Sequence, residues 1–236
     1  MQKYNLKNMK RFDTIVDEKY PAEQSIILRY NRSGIAKLTE KELKLASLKE
    51  GERIFYLMDY RGISVYILDE TTRMETNTFE ALVALITLGY CKKSGYKKII
   101  FSSGGNLGTA LARYASLVGI KAYSFNPLDN LSLLDGNIFM RRGVYLILVK
   151  NAQETRDAML RVRKHIIKVE GYDPLVPKKK WRLEAFGFRG LFIAEYMTKN
   201  NVQFTAIAQT ISAGFGPLGT FKILDNLFQK KQIKIL

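Results

Sequence analysis

Three short stretches carry residue types that could do chemistry. The first to stand out is Ser103-Gly104-Gly105-Asn106-Leu107-Gly108. It follows the β-rich run Lys97-Lys98-Ile99-Ile100-Phe101-Ser102 and opens a series of apolar residues at helical spacing, Leu107, Ala110, Leu111, Tyr114, Ala115 and Val118. A glycine turn between a strand and a helix lets backbone N–H groups approach an anion, while the helix dipole favours negative charge at the same point. The second stretch, Ser212-Ala213-Gly214-Phe215-Gly216-Pro217-Leu218-Gly219, has the same character and follows the apolar run 204–208. Gly214, Gly216 and Gly219 match the dinucleotide pattern G-x-G-x-x-G, but the acidic residue that would read a ribose falls about where the sequence reaches Leu236. Phosphate binding and tight-turn packing both suit these glycines, and Asn106 suits either a ligand contact or a helix cap. The third stretch, Thr76-Asn77-Thr78-Phe79-Glu80, places hydroxyls and a carboxylate just ahead of an apolar helix.

Little else offers a reaction centre. His165, the only histidine, sits among Arg161, Arg163 and Lys164, and no serine, cysteine or aspartate constellation assembles around it, so a hydrolase is not indicated. Cys91 is the only cysteine, which excludes an internal disulfide, and no zinc-ligand spacing of Cys and His occurs; no metal site is expected. The start of the sequence lacks the apolar core of a signal peptide and no apolar run reaches membrane-spanning length, so the expected location is the cytoplasm. With 236 residues, 47% hydrophobic and 25% charged, the chain can bury a sizeable core. The net charge of +16 would attract phosphates or nucleic acid at long range. Its lysines are scattered, however, and the densest cluster, Pro177-Lys178-Lys179-Lys180-Trp181, is short and falls in a connection, so a dedicated nucleic-acid reader is not expected.

The elements that must position these stretches alternate between strand and helix. Thr39 with Glu42 opens a polar helical segment, 39–46, and Val65-Tyr66-Ile67-Leu68 reads as a strand running into Asp69-Glu70. Residues 79–89 form a helix apolar nearly all round, which implies a central, buried position. Strands follow at 97–102, 121–125 and 144–149, with helices at 107–118, 128–142 and 152–169. Beyond the loop at Tyr172-Asp173-Pro174, a helix is expected at 189–197 and a buried strand at 204–208. The alternation predicts an α/β chain with a largely parallel sheet.

From about Val65 onward, the order and separation of these stretches resemble the fold-type II pyridoxal-phosphate enzymes, the family of threonine synthase, cysteine synthase and the tryptophan synthase β chain. In that family a strand ending in an acidic residue leads to a segment like N-P-T-G-S-F-K-D-R; here Asp69-Glu70 and Met74-Glu75-Thr76-Asn77-Thr78-Phe79-Glu80 hold those places. The S-x-G-N-x-G turn follows in register at Ser103 to Gly108. Trp181-Arg182-Leu183-Glu184-Ala185-Phe186-Gly187 is similar to the threonine synthase segment in which Arg and Glu precede Gly. The resemblance implies a two-lobed architecture like the tryptophan synthase β chain, with mostly parallel sheets flanked by helices. Residues 1–95 and 170–236 would form the larger, cofactor-binding lobe and 96–169 the smaller α/β lobe. It also implies roles. Asn106 would bond the pyridoxal ring oxygen, and Gly214, Phe215, Gly216 and Gly219 would surround the cofactor phosphate. Thr78, Ser103 and Gly104 would meet a substrate carboxylate.

The departures from the family pattern bear on function. The family's Schiff-base lysine follows the phenylalanine, and only an amine can condense with the aldehyde and then be displaced by a substrate amine. Glu80 stands in that place and cannot do this. Lys92 and Lys93, further along the same helix, are about 20 Å away at 1.5 Å per residue. Glu75 and Asn77 replace the family's Pro and Gly, Glu50-Gly51-Glu52-Arg53-Ile54 lacks its early Thr-Pro, and the sequence reaches Leu236 where the family continues into further strands. A C-terminally shortened form is therefore expected, with exposed edges and association with itself or a partner subunit. The leading expectation is a threonine synthase-like protein without the catalytic lysine, holding pyridoxal phosphate non-covalently or not at all, with an amino acid or phosphate-bearing molecule as ligand. Two alternatives are an active pyridoxal-phosphate lyase or synthase acting on an amino acid, and a basic nucleotide- or nucleic-acid-binding protein.

Overall fold

The computed structural model describes residues 53–70, 76, 78–103, 105–171, 173–174 and 176–229. The helix expected at 39–46, the Glu50-Gly51-Glu52 segment, Glu75, Asn77 and Gly104 lie outside them. Within these residues the chain divides into two compact units. The first contains 53–69 and 182–229, the second 70–171, 173–174 and 176–181.

The second unit is built on a parallel sheet. Strand β3 (Lys98–Ser102) pairs with β4 (Lys121–Pro127), which pairs with β5 (Val144–Val149). Parallel neighbours need crossovers, and the first is helix α2 (Asn106–Leu117), preceded in the chain by helix α1 (Ala81–Lys93). From Ala81 to Gly89 every residue of α1 is buried, so the expected central helix is present. Its apolar character all round reflects packing on every side. Gly119 ends α2 with φ +71°, a backbone conformation in which a side chain would be strained.

On one face of the sheet Phe125 and Ile100 are fully buried against Ala158, with Tyr123, Ile147, Val149, Met159 and Val162 packed around them. Ala158 belongs to α4 (Ala152–Glu170), which the sequence places at 152–169. The Asn151 side chain accepts from the Glu154 N–H at 3.0 Å, and Gly171 closes the helix with φ +61°. The helix expected across 128–142 is not continuous. A 3₁₀ segment, Leu128–Leu133, gives way to a single turn, α3 (Gly136–Phe139), because Asp135 caps a new start by accepting from the Asn137 N–H at 2.9 Å.

The first unit opens with a hairpin, β1 (Arg53–Tyr60) and β2 (Ile63–Asp69). Arg61 and Gly62 join the strands, both at positive φ, as a two-residue turn of the primed type requires. Tyr66 of β2 meets Tyr56 and Phe204 edge-on, at ring separations of 5.6 and 5.2 Å. Tyr56, Leu57, Met58 and Ile63 remain exposed.

Helix α5 (Lys179–Asn200) is longer than the 189–197 expected, and its first turn takes up Lys179, Lys180 and Trp181 from the basic cluster assigned to a connection. Helix α6 is Phe215–Gln229. The run 204–208 is not the buried strand that its composition suggests. It has no regular secondary structure and bends at Thr205, it carries no strand pairing among the described residues, and Ile207 is 45% exposed. With no neighbouring strand described to receive its backbone groups, β propensity alone does not make a strand.

Candidate functional site

In the second unit, the carboxyl end of β3 runs into the turn that starts α2. Gly105 occupies the cap position in an extended conformation, and Asn106 is the first helical residue, exposed and one place beyond the cap. Asn106 therefore does not cap its helix, a use the sequence left open. Gly105 offers no side-chain oxygen to the first-turn N–H groups of Asn106, Leu107 and Gly108. Gly108 is required by a close approach: a Cβ there would lie 1.8 Å from the Ser103 carbonyl oxygen. Ser103, half-buried, is thus held directly against the first turn of α2.

Thr78 and Glu80 lie where the chain enters α1. Thr78 is buried, and its Oγ1 accepts from the Glu80 N–H at 3.2 Å. Glu80 is half-buried at the cap of α1, its carbonyl accepting from Ala84 N–H at 3.0 Å. An anionic side chain at a helix N-terminus complements the dipole, whereas a lysine there would oppose it. Sequence reasoning did not single out Asn126 of β4, which is fully buried. Its amide donates to Ser124 Oγ at 2.9 Å, and its carbonyl oxygen has no partner among the described residues.

The first unit holds the other glycine turn. Gly214 has φ +77° and precedes α6; its carbonyl accepts from the Leu218 N–H at 3.2 Å. Pro217 supplies no N–H, so the first turn leaves those of Phe215 and Gly216. A Cβ at Gly216 would stand 3.1 Å from Arg189 Nη1 and 3.4 Å from Gln209 Oε1. Arg189 Nη1 donates to that oxygen at 2.7 Å. Arg182 lies over the Phe215 ring at 4.9 Å. Gly219 has a different surrounding: it is buried inside α6, and a Cβ there would meet the Leu183 carbonyl oxygen at 2.6 Å and Phe186 Cβ at 2.7 Å. Gly219 lets α5 and α6 approach one another.

The remaining candidates are distant from reaction chemistry. Cys91 is fully buried and desolvation pushes its thiol up to about 12, so it carries no thiolate at neutral pH. His165 lies on the outward side of α4 and is exposed. Among the described residues no group of three His, Cys, Asp or Glu side chains could hold a metal ion, and no helix is long and apolar enough to cross a membrane.

No family model matches the chain. Over 73 residues, 31% of this chain and 18% of the relative, it is 37% identical to cysteate synthase of Methanosarcina mazei. Among solved structures it resembles a hydrogen sulfide-producing enzyme of Fusobacterium nucleatum, with a TM-score of 0.59, 18% identity and coverage of 84% of this chain and 66% of that one. It also resembles cysteine synthase of Entamoeba histolytica, with a TM-score of 0.59, 14% identity and coverage of 93% and 61%. The fold is that of the fold-type II pyridoxal-phosphate enzymes. Diaminopropionate ammonia lyase of Escherichia coli shares it at a TM-score of 0.56 and 17% identity, covering 70% of this chain and 50% of that chain. The chain thus spans between half and two thirds of the length of these structures.

In the first unit, the turn at Gly214–Gly216, whose first-turn N–H groups have no intrahelical acceptor and where a Cβ at Gly216 would fill the space beside it, suits a phosphate. In the second unit, Glu80 offers no amine for a covalent link.

Proposed function

We propose that this chain is a threonine synthase-like fold-type II protein that binds a phosphate-bearing ligand, pyridoxal phosphate in particular, without covalent attachment and without lyase or synthase turnover. The observation that carries this reading is Glu80 at the cap of α1, immediately after Phe79, where the family resemblance calls for the lysine. The cofactor's chemistry when bound is to act as an electron sink for an amino acid joined to it, and that needs an amine exchange which a carboxylate cannot perform.

The chain's own groups support retention of a ligand. In the first unit the Phe215 and Gly216 N–H groups at the start of α6 suit a phosphate, and in the second Asn106 at the exposed start of α2 suits a polar group. Ser103 and Thr78 supply hydroxyls for a carboxylate in the second unit. Absorbance spectra of the purified full chain with added pyridoxal phosphate, followed by borohydride treatment, test the reading. Binding with no borohydride-stable adduct is expected. A stable adduct on any lysine, with turnover of an amino acid, would replace this reading with an active enzyme.

A further inference from the structure

Strand β5 stands at the edge of the second unit's sheet, in the order β3-β4-β5. The carbonyl of Gly143, just before it, is turned toward β4 and accepts from the Ala122 N–H at 2.8 Å. Backbone direction alternates along a strand, so Tyr145, Ile147 and Val149 also turn their N–H and C=O groups to β4. Those of Val144, Leu146 and Leu148 turn the other way. The Val144 N–H finds the Arg141 carbonyl at 3.0 Å, but no strand among the described residues pairs with this side of β5.

Edge strands are ordinarily blunted by a charge, a proline or a bulge. Val144-Tyr145-Leu146-Ile147-Leu148-Val149 has none of these: it is uncharged, contains no proline and keeps an unbroken register with β4. None of its residues is buried, and Tyr145 and Leu148 are 43% and 38% exposed. Charge is confined to its two ends. Arg141 and Arg142 precede the strand and Lys150 follows it, all three exposed, and none forms an ion pair among the described residues. The nearest acids in sequence are engaged elsewhere: Asp135 caps α3, and the Glu154 carboxylate accepts from Asn151. The Arg142 carbonyl accepts from Ser116 Oγ at 3.2 Å, which ties that end of the strand to α2.

This pattern decides between occupants. A second copy related by a two-fold axis would add its β5 antiparallel to the first. Pairing the full length of the strand in that way brings Arg142 of one chain against Lys150 of the other, and like charges across a strand pair are unfavourable. A different segment with carboxylates at its ends meets the same cations favourably. We propose that the free edge of β5 is a docking site for an extended segment of a partner protein, apolar along its middle and acidic at both ends, which adds to the sheet as a further strand. Backbone hydrogen bonds to Val144, Leu146 and Leu148 hold the segment, and Arg142 and Lys150 select its ends.

Fluorescence anisotropy of a labelled synthetic peptide, alternating valine and threonine between glutamates at both ends, tests this on the full chain, with hydrogen exchange at the Leu146 and Leu148 amides followed alongside. Binding that slows exchange at both amides is expected. A peptide with lysines in place of the glutamates, and one N-methylated along its backbone, should each bind at least tenfold more weakly. R142E combined with K150E should lose at least tenfold for the glutamate peptide and gain affinity for the lysine peptide. L146P removes an outward N–H without taking a bond from β4 and should also lose at least tenfold; if it does not fold, the charge reversal and the N-methylated peptide decide. The proposal is overturned by no binding to wild type, by equal binding of the lysine or N-methylated peptide, by unchanged binding to the folded charge-reversed chain, or by binding that leaves both amides exchanging freely. Slow exchange at both amides without peptide, together with a mass of two chains or more in light scattering, overturns it in favour of a second copy on this edge.

Discussion

The two glycine turns share a sequence pattern but differ in construction. The turn before α2 follows a paired strand, offers no side-chain cap to its first-turn N–H groups and exposes Asn106. The turn before α6 follows an irregular segment, keeps two such groups and has a buried arginine against it. In both, a late glycine serves a close contact: Gly108 against the Ser103 carbonyl, Gly219 against α5. The difference teaches that a turn suited to an anion and the position of the Glu80 carboxylate rest on separate elements, the start of α6 and the start of α1.

Restoring the amine gives the largest expected change. E80K should convert a chain with no borohydride-stable pyridoxal adduct into one modified at residue 80, read by peptide mass spectrometry. It should also lower stability by about 0.5–1 kcal/mol, because a cation replaces an anion at a helix N-terminus. A folded E80K that binds pyridoxal phosphate yet forms no adduct would place residue 80 out of reach of the aldehyde.

The paired late glycines come next. Gly108→Ala has no room, since the obstacle at 1.8 Å is backbone, and should destabilise by about 3 kcal/mol or more in urea unfolding while displacing the Ser103 turn. Gly219→Ala meets its neighbours at 2.6–2.7 Å and should cost about 1–3 kcal/mol. Equal, small effects at both would show that neither contact is close.

Much of this organisation was legible in the sequence. Glycine-punctuated alternation of β-rich runs and helical spacing located β3, α2, β4, β5 and α4, because each is closed by a local signal such as Gly119 or Gly171. Continuous apolarity gave the buried α1. What escaped depends on partners distant in sequence. Strand β1 has the β-rich composition of its neighbour, but its pairing rests on the Arg61-Gly62 turn, which lacks the usual Asn-Gly signature. The run 204–208 has strand composition without a described partner. Arg189 looked like one of many scattered basic residues, and its place beside Gly216 arises only from the Gly190 and Gly219 contacts. A sequence signal did exist in those two glycines, placed inside otherwise apolar helices, where glycine is disfavoured unless something must come close.

Two smaller effects sharpen the contrast between binding groups and structural ones. Cys91 should not react with a thiol reagent at pH 8 in the folded chain and should react fully after unfolding; rapid reaction when folded would show that α1 is open to solvent. Asp173 accepts from Arg163 at 2.7 and 2.6 Å, and that bidentate bond holds its carboxyl below the ordinary value of 3.8. A depressed carboxylate contributes stability that is present above its unfolded pKa and is lost as pH falls through the folded one. Both groups are partly exposed, so D173N should lower stability by about 1 kcal/mol or less at pH 7 and by less below pH 3. A loss that grows on acidification would contradict the assignment.

The most direct test of the account is borohydride reduction of the wild-type chain saturated with pyridoxal phosphate, followed by peptide mass spectrometry of every lysine. The account predicts a bound, phosphate-dependent ligand that washes away after reduction and leaves all lysines unmodified. A stoichiometric reduced adduct on one lysine would contradict it, and would identify the amine that takes the place of residue 80.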